Sequence, residues 1–526
     1  MKFRFKDSNR AMEIVKRMTV RELINQCICP FHFPENNLDN VDEYGGLFVF
    51  GGKEIRLKEV ISRYKAKCTV KPFIVSDFEN GAGGMIDGAT RFSSMMGCSE
   101  TDSAELAYEM GRIGGGEGIS AGFNWTFGPV VDLYHNPNSP MVSTRSAGST
   151  PDQVIKIAGA YMKGVQAAGM MATLKHFPGD GRDVYDQHLT TPVNNSSKEE
   201  WNQREGRIYR ELIEEGVMAI MPGHIALPCY DSREEKTGLY PPATLSGRLM
   251  TDLLRGELGF EGVIVSDAVN MGGIVNFKNY YEACALFWEA GGDMLLFPDV
   301  NKFHERILPY LENGTLREET LRNRAYRILC VKDMLGILDD INGEVSIDRE
   351  RNERVSREIV DRGVKLVRDR EGLIPFNINK DTRILHVVII NNHESYKNYI
   401  DRLNEELAGH AESVETFVDA GPDKLFNEII EGRFDLVICS LGGKPEYGVN
   451  SCDIYGPMVR NMMGGWMKLG TPVIFVACED PYAYKRYEAA ADTIINLYGL
   501  TAYTPERLID GIIGKNPFNK GIYTHK

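Results

Sequence analysis

A chain of 526 residues is long enough for two to four domains at roughly 100–200 residues each. With 43% hydrophobic and 25% charged residues it has the make-up of an ordinary globular protein, which excludes extensive disorder. Lys+Arg 60 against Asp+Glu 74 leaves a net charge of −14, and no stretch gathers basic and aromatic residues together, so nucleic acid and anionic membrane are excluded as expected partners.

From the start of the chain, residues 1–17 mix charged and single apolar residues and hold no apolar core of the kind a secretory signal needs. No apolar run approaches the ~20 residues that span a bilayer. The ten cysteines are scattered, and their closest pair, Cys27 and Cys29, has neither zinc nor disulfide spacing. The expectation is a soluble, cytoplasmic protein with reduced thiols, no metal and no cofactor. Thr19 and Glu22 have the spacing of a capping box that opens an early helix.

Apolar runs then recur at 46–50, 72–75, 123–131, 171–174, 217–221, 262–265 and 293–297, with helix-like stretches at 101–111, 152–168, 201–215 and 247–258 between them. The runs are apolar throughout instead of alternating, as strands buried on both faces are, and this favours a parallel sheet. The fold class is α/β: residues 1–336 are expected to form a (β/α)8-like TIM barrel in which one early strand is not legible. Residues 337–377, rich in charge, read as a helical linker without a strand. Residues 378–526 carry further apolar runs at 384–390, 436–439, 473–476 and 493–497, which predict a smaller C-terminal α/β sandwich. No GxGxxG opens a helix there, so a dinucleotide site is not expected.

The ends of the barrel strands carry Asp77, Glu79, Asp132, Lys175, His176, His224, Asp267 and Asp299. In parallel barrels the carboxyl ends of the strands hold the active site, so these residues are expected to line one pocket. The densest segment runs from Lys175 to His188. There Asp186 and His188 are one residue apart, close enough for the carboxylate to fix the imidazole's tautomer and raise its basicity. An isolated Asp-x-His is more often a loop that caps itself, and a lone strand-end carboxylate such as Asp267 more often caps the next helix. Together, a histidine acid/base and a carboxylate across a pocket make the pair that double-displacement glycoside cleavage requires.

Lys175-His-Phe-Pro-Gly-Asp-Gly181 with Asp186-x-His188, followed by Leu258-Gly-Phe-Glu-Gly-Val-Ile-Val-Ser-Asp267, resembles glycoside hydrolase family 3 in its β-N-acetylglucosaminidase branch. The resemblance spans residues 15–335 through Val75-Ser-Asp-Phe-Glu79, Phe127-Gly-Pro-Val-Val-Asp-Leu133, Arg145-Ser-Ala-Gly148 and Pro242-Ala-Thr-Leu-Ser246. It implies a retaining β-N-acetylglucosaminidase with Asp267 as nucleophile, His188 as acid/base and Asp186 as its orienter. By the same match Asp77, Arg145, Lys175 and His176 hold the sugar, and His224 stands at the rim. Asp132 reads as a buried carboxylate paired with Lys175.

Two departures from the family pattern bear on the sugar. Asp180 stands where many members have His, and Asp77-Phe-Glu-Asn-Gly-Ala-Gly-Gly-Met85 lacks an arginine for which Arg91 or Arg182 is a candidate substitute. Other readings remain open: a β-glucosidase of the same family, a GlcNAc phosphorylase whose neutral imidazole would not repel phosphate, or a non-catalytic sugar-binding protein. A binding protein has no need for Asp267, Asp186 and His188 together. The expected partner is a small carbohydrate.

Overall fold

The expected capping box forms, with Thr19 Oγ1 accepting from Glu22 N and the Glu22 carboxylate accepting from Thr19 N at 2.7 Å. It opens the helix Val20–Gln26, which leads into two short strands, β1 (Ile28–Cys29) and β2 (Phe31–His32). Pro30 separates them and has no N–H to give a ladder. This divided stave is the barrel strand that the sequence conceals, because neither half is long enough to stand out as an apolar run.

The computed structural model describes residues 2–36, 41–340, 345–443 and 447–520. By its internal packing the chain falls into two compact units. The first comprises Met1–Thr90, Ala107–Val142 and Ser146–Asn352. Its further barrel strands are β3 (Gly46–Val49), β4 (Phe73–Ser76), β5 (Trp125–Thr126), β6 (Thr173–Phe177), β7 (Ala219–Pro222), β8 (Val263–Ala268) and β9 (Met294–Leu296). Each pairs in parallel with its neighbour: β2 with β3, β3 with β4, β4 with β5, β6 with β7, β7 with β8, β8 with β9, and β9 with β1. Parallel bridges Trp125↔Met171 and Val130↔Lys175 close the remaining seam between β5 and β6. Among the described residues, eight staves thus make a TIM barrel, counting β1 and β2 as one. All the strands except β2 are buried to solvent along most of their length, as expected for a sheet covered by helices on one side and packed within on the other.

The second unit comprises Arg91–Leu106, Ser143–Arg145 and Glu353–Lys526, and the chain enters it within the helix Arg349–Gly363. Residues 91–106, read from sequence as part of the barrel segment, belong here. Ser356 Oγ donates to the Arg91 carbonyl at 2.5 Å, and the Arg362 guanidinium donates to the Thr101 carbonyl at 2.9 Å.

The expected linker helix is present, but the reading of no strand beside it is corrected: β10 (Lys365–Asp369) pairs antiparallel with a later strand. Its charges hide it, since Lys365 Nζ turns back to the Arg362 carbonyl and Asp369 accepts from Leu373 N, Ile374 N and Thr493 Oγ1. Residues 341–344 of the linker lie outside the described residues. The core strands β11 (Arg383–Ile390), β12 (Ser413–Val418), β13 (Leu436–Gly442), β14 (Val473–Ala477) and β15 (Thr493–Asn496) pair in parallel. Alternation along β11 sends Ile384, Val388 and Ile390 to one apolar layer and Leu385, Val387 and Ile389 to the other, which makes an α/β sandwich.

Candidate active site

β8 delivers Asp267. Ser266 Oγ accepts from Leu296 N at 2.9 Å, and the register with β9 shifts between Val265 and Ala268, so the strand breaks its regular alternation where the carboxylate emerges. Asp267 keeps only 14% of its side chain exposed. Burial pushes its pKa upward, but the imidazoles of His176, His224 and His188, together with the Ala268 N–H, outweigh it and hold the carboxyl below its ordinary value. The group is thus an anion throughout the neutral range.

β6 has a similar irregularity between Lys175 and Phe177, and it brings two consecutive side chains to the rim. His176 Nδ1 lies 2.7 Å from Asp132 Oδ2, which fixes Nε2 as the nitrogen facing Asp267, 3.9 Å from its Oδ2. Asp132 also accepts from the backbone N–H groups of His176 and Asp180. Its expected pairing with Lys175 is therefore corrected. Lys175 instead reaches Asp77 at 3.0 Å and Glu79 at 2.7 Å, both just beyond β4. The reason is direction: β4 and β6 both turn these groups toward the barrel mouth, whereas Asp132 sits behind the imidazole and is 1% exposed.

The loop after β6 is shaped by Gly179 and Gly181, both at positive φ. A Cβ at Gly179 would lie 2.7 Å from Glu205 Cγ, and one at Gly181 would lie 2.7 Å from the Leu133 carbonyl oxygen. Their N–H groups donate to the His176 carbonyl and to Asp180 Oδ1, so these amides are spent on the turn and are not offered to a phosphate. Arg182 closes the loop onto Glu200 at 2.7 Å and Glu205 at 2.9 Å, which commits it to the loop and removes it as a substitute sugar clamp.

His188 follows. Asp186, fully buried, accepts from His188 N at 2.8 Å and from its Nδ1 at 2.7 Å, which fixes the ring orientation and the tautomer. The loop is stitched to the segment after Asp267: Gly272 N donates to the His188 carbonyl at 2.7 Å, Gly273 N to the Gln187 carbonyl at 3.0 Å, and Asn276 Nδ2 to the Leu189 carbonyl at 2.8 Å. Only glycine permits this approach, because a Cβ at Gly272 would stand 2.3 Å from the Leu189 oxygen. These bonds hold the Asp186–His188 pair beside the strand that carries Asp267.

His224 is fully buried with both nitrogens engaged, Nδ1 at 2.9 Å from Thr244 Oγ1 and Nε2 at 2.9 Å from the Ala268 carbonyl. Expected to stand at the rim, it lies instead behind the end of β8 and presents no nitrogen to a sugar. Burial, opposed by the charge of Asp267, keeps its pKa below the ordinary value. Gln187 and Thr244, which the sequence reading did not single out, tether His224 through its N–H and its Nδ1. Thr244 does sit in the Pro242–Ser246 motif, and that was the available signal. Arg145 ends the turn Ser143–Arg145 and, like Arg91, belongs to the second unit.

A model of the "Glycosyl hydrolase family 3 N terminal domain" matches residues 40–331. The chain is 30% identical over 484 residues to a "Beta-N-acetylglucosaminidase/beta-glucosidase" of Cellulomonas fimi, covering 87% of this chain and 84% of that one. It is 32% identical over 292 residues to a "Beta-hexosaminidase" of Tolumonas auensis, covering 54% and 84%. Among solved structures, a "Beta-glucoside phosphorylase" superposes with a TM-score of 0.91 at 27% identity, over 99% of this chain and 97% of that one. A family 3 β-N-acetylglucosaminidase from Paenibacillus sp. superposes with a TM-score of 0.80 at 23% identity, over 95% and 98%, and shares the fold.

Proposed function

The chain belongs to glycoside hydrolase family 3 and is a glycoside hydrolase, and from that premise we propose that it removes terminal β-linked N-acetylglucosamine with retention of configuration. Asp267 attacks the anomeric carbon while His188 Nε2–H gives its proton to the departing glycosidic oxygen. The C–O bond to the leaving group breaks as the bond to the Asp267 oxygen forms. His188, now neutral, takes a proton from water, which displaces Asp267 and releases the sugar. Asp186 keeps Nδ1 protonated in both half-reactions. Asp77, Lys175 and His176 hold the sugar hydroxyls, with Asp132 behind His176.

The observation that carries this reading is the 2.7 Å Asp186–His188 pair, fastened by its loop to the end of the strand bearing Asp267. The hexosaminidase names of the relatives support the glycone. To test it, a 5-fluoro-β-N-acetylglucosaminyl fluoride is incubated with the enzyme and the peptides are weighed. The expected result is an adduct on the peptide containing Asp267 and a β-configured first product. An inverted product or an unlabelled peptide rejects the mechanism, and faster turnover of p-nitrophenyl β-glucoside than of the N-acetylglucosaminide rejects the glycone.

Phosphorolysis is a second reading, favoured by the imidazole acid/base and by the likeness to a β-glucoside phosphorylase. A carboxylate at that position would repel phosphate, and a neutral His188 does not. Turnover in phosphate and in a non-phosphate buffer of equal pH and ionic strength separates the two. GlcNAc 1-phosphate supports phosphorolysis, and its absence at high phosphate excludes it.

A further inference from the structure

Three residues beyond Asp267 the barrel mouth holds a cavity of about 650 Å³, which of the strand-end residues named above only Asp299 lines. Asn270, which follows Asp267 in the same strand-end loop, forms one wall. Phe297 forms another, immediately after β9, whose Leu296 is the register partner of Ala268. Phe31, at the end of the divided first stave, forms a third.

The aromatic side of this cavity is built at a cost. Phe297 sits at φ +57°, a left-handed conformation that a bulky side chain rarely adopts and that persists only where the surroundings enforce it. Its N–H is held by the Cys29 carbonyl at 2.9 Å. Its ring meets Phe31 edge-on at 5.4 Å, and Phe31 meets Phe33 at 5.6 Å, with Phe33 stacked on Phe50 at 4.5 Å. Phe31 and Phe33 nonetheless remain 44% and 43% exposed. A cluster of phenyl rings left open to water at a barrel mouth is a ligand surface more often than a packing accident.

The rest of the lining mixes the apolar Pro30, Pro298 and Val300 with polar groups, none of them basic. Tyr280 Oη accepts from Asp299 N at 2.7 Å, so its own proton points away from that bond, and Asn301 adds a carboxamide. Asp299 is the one charged lining residue, and no Lys, Arg or His lines the cavity among the described residues. An apolar face set against amide, phenol and carboxylate groups matches a pyranose, whose axial C–H groups stack on a ring while its hydroxyls hydrogen-bond outward. A lone carboxylate disfavours an anionic guest.

We propose that this cavity receives the sugar that leaves in the glycosidic cleavage, and that it selects an uncharged ring over one bearing a carboxylate. The proposal rests on the glycosidase reading above and narrows its substrate to β-linked oligosaccharides of neutral sugars.

The test compares substrates that do and do not reach the cavity, in both the N-acetylglucosaminyl and the glucosyl series. A β-glycosyl fluoride has no leaving-group sugar and reports only on the catalytic centre. A β-1,4 disaccharide fills the cavity with a neutral ring, and its analogue with a lactyl carboxylate on the second ring fills it with an anion. Wild type is expected to prefer the neutral disaccharide by about tenfold in kcat/KM. Phe31→Ala and Asn301→Ala should each lower kcat/KM for that disaccharide by about tenfold and leave the fluoride within about twofold, with Phe31→Tyr restoring it. Asp299→Asn should narrow the preference against the anionic ring.

A disaccharide rate indifferent to all three positions, or a preference for the acidic disaccharide, overturns the proposal. An equal loss on fluoride and disaccharide does the same, because it makes the effect structural. If the glycosidase reading itself is wrong, wild type leaves both fluorides intact, an outcome none of these results resembles.

Discussion

Asp267 is poised by its neighbours more than by its depth. Burial alone would raise its pKa, and His176 is the first of the groups that reverse this. Replacing His176 with Ala therefore raises the Asp267 pKa, and the acid limb of kcat/KM, which requires the anion, moves to higher pH. A limb that stays in place in the pH profile of His176→Ala refutes the assignment. Asp267→Ala removes the proposed nucleophile and is expected to lower kcat on every β-glycoside by a factor on the order of 10⁴ or more, with circular dichroism unchanged. His188→Ala behaves differently, because a good leaving group needs little protonation. Natural disaccharides should slow by about 10²–10⁴-fold, and 2,4-dinitrophenyl glycosides far less. Equal losses on both substrates show that His188 is not the acid.

His188 reaches its place because an entire loop is fastened to the short helix Gly272–Val275. Gly272→Ala puts a Cβ against the Leu189 and His188 carbonyl oxygens, so the loop must move and carry the imidazole with it. The expected signature is that of His188→Ala in milder form, with disaccharide turnover down roughly 100-fold and dinitrophenyl turnover spared. Uniform loss across substrates would indicate disruption of β8 instead. This docking was illegible in the sequence, where Gly272 and Gly273 are two glycines among 53. What was legible followed from local rules. Seven of the barrel staves appear as apolar runs, and Asp186-x-His188 announces its bond by spacing alone. The failures have two causes: partners distant in sequence decided Asp132 and His224, and local breaks in the apolar pattern hid the first stave and β10. Asp132 found His176 instead of Lys175, His224 found Ala268 behind the rim, Pro30 divided the first stave, and the charges of β10 masked a strand.

At the scale of the whole molecule each unit buries an ionisable group that its chemistry does not require, and the two respond to pH in opposite directions. In the first, Lys332 on the helix Glu318–Met334 is fully buried, its ammonium 5.3 Å from the centre of the Phe73 ring, and burial lowers its pKa to about 7. The unfolded chain keeps that lysine protonated well above this value. Between the two pKa values the unfolded state holds more protons, so the contribution of Lys332 to the stability of the first unit grows as pH rises from neutrality. In the second unit Asp480 is 2% exposed and accepts from Tyr482 N at 2.7 Å, while burial, reinforced by nearby Asp453, raises its pKa to about 7. Here the folded state holds the extra proton, so the contribution of Asp480 to stability falls as pH climbs from the ordinary carboxylate range to neutrality. Removing each charge should remove its slope. Lys332→Met is expected to raise the melting temperature of the first unit at pH 7, with the advantage shrinking towards pH 10. Asp480→Asn should raise that of the second at pH 8 and give no advantage below pH 4. Calorimetry across this range decides it, since pH-independent differences in either variant would mean that packing, and not proton linkage, sets the change.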